Sequence, residues 1–252
     1  MPPNRIGYLA FMLLAVAAFF LARRLFPSPH QARLNRVDQL TLGLAAFVGG
    51  TITAKLPFIW DSSASFWDWS AWAADGKTIT TGLVGAYLSV EVAKLLLGIR
   101  AKTGDGLAIP LAAALAVGRW GCFVNGCCAG APTALPWCVD FGDGVCRHPT
   151  QIYESLFHAV WLVILIRLNQ RDLFRYQRLK LYLLSYCGYR FAIEFIRTED
   201  RWLGVLTYYQ VVVALFAAFL AGQWVIDARR LRRETRSDGA THLTIATDRP
   251  AR

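Results

Sequence analysis

The stretch IGYLAFMLLAVAAFFLARR, residues 6–24, decides what kind of protein this is. From Ile6 to Leu21 it carries no charge, and a helix of that length approaches the thickness of a bilayer's hydrocarbon core. Only Arg5 and the amino terminus precede it, whereas Arg23 and Arg24 follow directly. A cleavable secretory signal has its positive charge in front, so this order predicts a retained transmembrane helix with its N-terminus outside. Comparable runs recur at 39–60, 79–99, 106–122, 151–167, 179–197 and 204–226. Together with the first, at 6–22, they predict an all-α polytopic membrane protein with about seven transmembrane helices. A hydrophobic fraction of 55% and a mean hydropathy of +0.36 fit that class better than a soluble domain.

The connections alternate in charge. Arg23, Arg24, Arg33 and Arg36 follow the first run, Arg100 and Lys102 the third, and Arg167, Arg171, Arg175, Arg178 and Lys180 the fifth. Arg229, Arg230, Arg232 and Arg233 follow the seventh. The other connections are poorer in basic residues, with Asp61, Asp68 and Asp75 against Lys77, and Asp140 and Asp143 against Arg147. Basic loops stay in the cytoplasm, so the C-terminus is expected there. The net charge of +10 is thereby a topology signal, and no nucleic-acid partner is expected. Residues 1–228 read as one transmembrane domain, and 229–252 as a disordered, basic cytoplasmic tail. The segment SASFWDWSAW, 63–72, is too short and polar to span and reads as an interfacial aromatic element.

Charged residues inside the spans point to the site. In LYLLSYCGYRFAIEFIR, 181–197, Tyr186, Arg190, Glu194 and Arg197 are spaced 4, 4 and 3 apart, which is one helix face. Charge at membrane depth costs a few kcal/mol, so this face must look into a protein interior or a watery cavity. It is either functional or an Arg190–Glu194 pair that joins helices. Polar groups on four further spans lie toward the same side: Arg119, then His148, Gln151, Tyr153 and Glu154, then Lys55, then Thr80, Thr81 and Gly82. Lys55 reads equally as snorkelling or ligand-binding, and His148 equally as a cap beside Pro149. Guanidinium forks suit phosphate or carboxylate, and Gly118, Gly121, Gly126 and Gly130 permit tight turns. An anionic outer-leaflet phospholipid is the ligand this pattern suggests.

Three motifs carry a family likeness: GRWGCFVNGCCAG at 118–130, RHPTQIYE at 147–154 and YRFAIEFIR at 189–197. They resemble, in order, the Gly-Arg-x-Gly-Asn-Phe-x-Asn-Gly-Glu signature, the Arg-His-Pro-Ser-Gln-Leu-Tyr-Glu segment and the Arg-x-x-x-Glu-Phe-x-Arg ending of the bacterial prolipoprotein diacylglyceryl transferases. The resemblance spans about residues 35–226. It implies transfer of the diacylglyceryl group of phosphatidylglycerol to the lipobox cysteine of a prolipoprotein, in lipoprotein biosynthesis. It implies a multi-pass protein of the bacterial inner membrane whose active site faces the outer leaflet, with membrane lipids around it. No cofactor is implied. Arg119, Arg190, Glu194, Tyr186 and His148 are the expected catalytic set. Asn125, Gly126, Gly130, Arg197, Gln151, Tyr153, Glu154, Thr80 and Gly82 are the expected substrate-binding set.

The chain departs from the family pattern where a histidine would be Thr80, an asparagine Cys122 and a glutamate Cys127. Threonine is no base near neutral pH, which leaves His148, Glu154 and Glu194 as candidates. The cysteines offer an alternative class. Near Arg119, Cys122, Cys127 or Cys128 would make a thiol site for redox or lipid-modifying chemistry in a divergent paralogue. A non-catalytic lipid binder is a third reading. Cys138 and Cys146 flank a short loop that a disulfide would close, and Cys122 and Cys187 read equally as buried apolar residues. The cysteine spacing matches no zinc pattern, so no metal is expected.

Overall fold

A computed structural model describes residues 4–29, 34–61, 72, 78–199, 201 and 204–247, with side chains undescribed at 60, 61 and 230–247. The expected aromatic element lies, apart from Trp72, outside these residues. The helices are α1 (Arg5–Leu25), α2 (Arg36–Asp61), α3 (Ile79–Leu96), α4 (Asp105–Val124), α5 (Thr150–Gln170), α6 (Arg178–Ile193) and α7 (Tyr208–Thr247). Among the described residues six of them are long and apolar enough to cross a membrane. The seventh, α6, is shorter, at 16 residues, and its arginines, lysine and tyrosines dilute its apolar character. A two-stranded antiparallel hairpin, β1 (Val139–Asp140) and β2 (Cys146–Arg147), sits between α4 and α5. The protein is thus a multi-pass, almost purely helical membrane protein. The last helix runs on to Thr247, into the stretch that composition reads as a tail.

Helices in lipid gain nothing from mutual hydrophobicity, because the tails are as apolar as leucine; small residues that permit close packing do the joining. Here α2 lies along α3, α1 and α5 flank α4, and α6 lies along α7. Between α2 and α3 a Cβ on Gly82 would stand 3.3 Å from both the Ala54 Cβ and the Gly50 carbonyl oxygen. That separation is tight, so Gly82 sets how near the two helices come. Ala108, Ala112 and Ala113 do the same for α4, beside a core of Ile109, Leu165, Tyr182, Leu183, Val213, Phe216 and Leu220. Leu9, Leu13, Val16 and Phe20 of α1, and Leu40, Leu44 and Phe47 of α2, point outward. On a soluble protein such a surface would aggregate; against acyl chains it is at rest.

One end of the bundle is tied by a polar knot. The Asp105 carboxylate accepts from the backbone N–H of Tyr176 (2.6 Å) and of Arg178 (3.0 Å). The Arg178 guanidinium donates to the Leu173 carbonyl (2.9 Å), Asn169 (2.8 Å) and Asp172 (2.9 Å). Arg178 is only 1% exposed, although its place in a basic connection suggests a solvated charge. Lys102 and Lys180 both pair with Asp227, fastening α7 to this end. Removing one partner of a buried ionic network leaves the others uncompensated, a loss of about 3–5 kcal/mol. Arg178→Ala should therefore lower the thermal midpoint in detergent by many degrees; a shift below about 2 °C would show the knot to be idle.

Candidate active site

At the opposite end, α4 closes in a Schellman motif. Gly126 N–H donates to the Phe123 carbonyl (3.1 Å) and Cys127 N–H to the Cys122 carbonyl (3.1 Å). This requires a left-handed residue after the C-cap Asn125, and Gly126 supplies it at φ +71°. Cys128 follows at φ +66°, a conformation a cysteine adopts only when its surroundings hold it there. They do so: Gln151 Nε2 donates to the Cys127 carbonyl (2.6 Å), and Thr150 Oγ1 (2.6 Å) and an Arg197 Nη (3.2 Å) to the Cys128 carbonyl.

The loop is then stitched to both neighbouring motifs. Gly130 N–H donates to the His148 carbonyl (2.9 Å) and Ala131 N–H to the Ile196 carbonyl (2.7 Å). A Cβ on Gly130 would stand 2.7 Å from the Ile196 carbonyl oxygen and 2.8 Å from the side chains of His148 and Thr150. No other residue fits, so the three sequence motifs meet at one glycine. The expected disulfide joins Cys138 and Cys146 beside the hairpin. The sequence reading continues the sixth span as helix to residue 197. Instead α6 ends at Ile193 and tightens into a 3₁₀ turn, Glu194–Ile196, whose last carbonyl is the one Ala131 uses.

Two buried charge clusters form beneath the loop. In the first, Arg119 of α4 pairs with Glu154 of α5, which also accepts from the Tyr186 hydroxyl of α6 (2.7 Å). His158, fully buried, lies 3.7 Å from Glu154 and 2.7 Å from the Tyr182 hydroxyl. Sequence reasoning missed His158, although its position four residues after Glu154 on one helix face is a readable signal. In the second cluster, Arg190 of α6 donates through Nε to the Thr80 hydroxyl of α3 (2.8 Å) and pairs with Glu194 at 3.0 Å. Its guanidinium stands 5.6 Å from the centre of the Tyr209 ring, a cation–π distance. Arg197 bonds Glu199 at 2.7 Å and lies 3.7 Å from Glu194.

Tyr186, which meets Glu154, and Arg190, which meets Glu194, lie one turn apart on α6, so the two clusters adjoin along that helix. Several buried polar atoms of these clusters have no hydrogen-bond partner among the described residues: Arg119 Nε, an Arg190 Nη, Arg197 Nε, His158 Nε2 and both Glu194 carboxylate oxygens; Tyr189 Oη, Thr81 Oγ1, Asn125 Oδ1 and Gln151 Oε1 are unpartnered too. Buried groups of this kind are nearly always paired in a working protein, so a polar occupant fits here.

The remaining sequence candidates make other contacts. His148 and Tyr153 pair at 3.3 Å near the rim, where Trp137 also donates to Tyr153 (2.8 Å). The His148 ring does not cap α5. Lys55 is buried rather than extended to the surface. Gly82 belongs to the α2–α3 contact. Three free thiols, Cys122, Cys127 and Cys128, stand with their sulfurs within 4.8 Å of one another. Thiol hydrogen bonds from Cys122 and Cys127, with the Arg119 and Arg197 charges beyond, hold Cys128 well below the ordinary thiol range.

Known proteins are similar to this chain over most of its length. A 30% identical relative from Clostridioides difficile (strain 630) aligns over 69% of this chain and 72% of its own. One from Methylococcus capsulatus, also 30% identical, aligns over 79% and 80%. One from Bordetella parapertussis, 28% identical, aligns over 88% and 87%. All three are named phosphatidylglycerol–prolipoprotein diacylglyceryl transferase. The family model described as prolipoprotein diacylglyceryl transferase matches residues 6–226, nearly the whole of the chain, and so the chain is a transferase that belongs to that family.

Proposed function

We infer that this protein transfers the diacylglyceryl group of phosphatidylglycerol to the lipobox cysteine of a prolipoprotein. It does so in the bacterial inner membrane with its site toward the outer leaflet, N-terminus outside and C-terminus in the cytoplasm. The observation that carries the reading is the pair of buried arginines, Arg119 and Arg190, each holding a carboxylate yet keeping an unpartnered N–H in one interior. A lipid phosphate supplies the acceptors that those donors lack.

The chemistry then runs as a displacement. The acceptor thiolate attacks the glyceryl carbon that bears the phosphate ester; a C–S bond forms, the C–O bond breaks, and glycerol phosphate leaves with the electron pair. Arg119, Arg190 and Arg197 stabilise the departing phosphate. Glu154, Tyr186 and Glu194 keep the first two guanidiniums in place, and Thr80 acts on Arg190 rather than as a base. Asn125, Gln151, Gly126 and Gly130 shape the loop over the lipid. The thiol proton goes to His148: Glu154 and Glu194 are ion-paired with arginines, whereas the His148 ring has the Tyr153 hydroxyl as its side-chain hydrogen-bond partner among the described residues.

The test supplies purified protein with phosphatidylglycerol and a lipobox peptide, beside a family enzyme as positive control. The peptide cysteine should gain the mass of a diacylglyceryl group, and His148→Ala should slow this by about 10²–10⁴-fold. No mass gain while the control works would sink the assignment; full activity in His148→Ala would remove only the base.

A further inference from the structure

The transfer reaction has no use for three clustered thiols. A diacylglyceryl group taken up by any of them would sit in a thioether, whose carbon–sulfur bond does not release it. Their geometry suits something else. The Schellman turn folds Cys127 back over the turn that carries Cys122, and the left-handed Cys128 brings the third sulfur in. Gln151, Thr150 and Arg197 clamp the two carbonyls of that turn, so the three sulfurs are held on a braced backbone rather than gathered by chance. The sulfurs lie within 4.8 Å of one another. A trigonal ion with metal–sulfur bonds of about 2.3 Å places its three sulfurs roughly 4 Å apart, a small adjustment from here.

We propose that Cys122, Cys127 and Cys128 form a trithiolate site for a soft monovalent ion, Cu(I). Among the described residues no fourth cysteine, histidine or carboxylate joins the group, which suits three-coordinate Cu(I) better than tetrahedral zinc. On binding, three Cu–S bonds form and whatever S–H protons the three sulfurs still carry pass to the buffer, with no change of oxidation state. The product is a dianionic copper trithiolate. It lies beside Arg119, whose Nη is 3.9 Å from the Cys122 sulfur, and Arg197, which already holds the Cys128 carbonyl. Those cations offset the anionic complex, and they would repel an unligated cation; the site therefore admits an ion only together with all three thiolates.

The experiment uses the full chain in detergent, thiols reduced, titrated anaerobically with Cu(I) against a chromophoric Cu(I) chelator. One Cu(I) per chain should be retained, with X-ray absorption showing three sulfur neighbours at about 2.3 Å. Each of Cys122→Ser, Cys127→Ser and Cys128→Ser should weaken retention on the order of 100-fold, while Cys187→Ser, buried in the helix core, should leave it unchanged. The proposal is overturned if the unmodified chain yields Cu(I) to the chelator as readily as the triple serine variant. It is equally overturned if the Cys187→Ser variant loses the ion, or if the chain retains added Zn²⁺ and not Cu(I). None of these readouts depends on transferase activity, so failure here leaves the family assignment standing.

Discussion

Arg119→Ala should abolish measurable transfer and also loosen the fold, and the two losses have different causes. Arg119 is buried against Glu154, with one Nη 3.9 Å from the Cys122 sulfur. Cutting it back leaves Glu154 charged with the Tyr186 hydroxyl and His158 as its remaining near partners among the described residues. An unpaired buried carboxylate costs about 3–5 kcal/mol. The thermal midpoint should fall accordingly, and activity by at least 10²–10³-fold through loss of phosphate stabilisation. A second variant separates these effects. Arg119→Met combined with Glu154→Gln removes both charges while keeping volume, and such exchanges are often neutral for stability. The double variant should regain most of the midpoint and none of the turnover. If it regained turnover as well, Arg119 would be a packing residue and the phosphate would dock elsewhere.

How far the site could be read in advance depends on sequence distance. The stripe Tyr186, Arg190, Glu194 and Arg197 is legible because helical spacing alone places it on one face, and three of its members are buried as that argument requires. Asn125–Gly126 after an apolar run announces the turn that ends α4. What no spacing reveals is that Arg190 reaches Thr80, on another helix 110 residues away. The family histidine's absence there reads as a missing base; in the structure the Thr80 hydroxyl accepts from Arg190 Nε. Arg178 misleads in the opposite direction. It counts as a loop charge because its partners are a backbone carbonyl and side chains of the same connection, invisible to a rule that treats every arginine between spans as solvated. The cysteines mislead through their spacing, since the Schellman turn makes neighbours of residues five apart.

Arg190→Ala should produce the other large effect, with less damage to the fold than Arg119→Ala. Its partner Glu194 lies also 3.7 Å from Arg197, so removing Arg190 leaves that carboxylate a cation. What is lost is the donor fork. One arm is fixed by Thr80, another by Glu194, and the remaining Nη has no hydrogen-bond partner among the described residues. If that group meets the departing phosphate, kcat/KM should fall about 10²–10³-fold. Arg190→Lys keeps the charge but offers a point donor that cannot serve three directions at once, and it should recover only part of the rate. Thr80→Val tests the positioning. It removes the acceptor at Nε, a charge-assisted bond of about 1.5–3 kcal/mol, and should slow turnover about tenfold or more with little change in thermal midpoint. The three variants should rank Thr80→Val, Arg190→Lys, Arg190→Ala in increasing severity. An Arg190→Ala enzyme keeping half its activity would detach this arginine from the phosphate, and with it the reason for Thr80 to stand where it does.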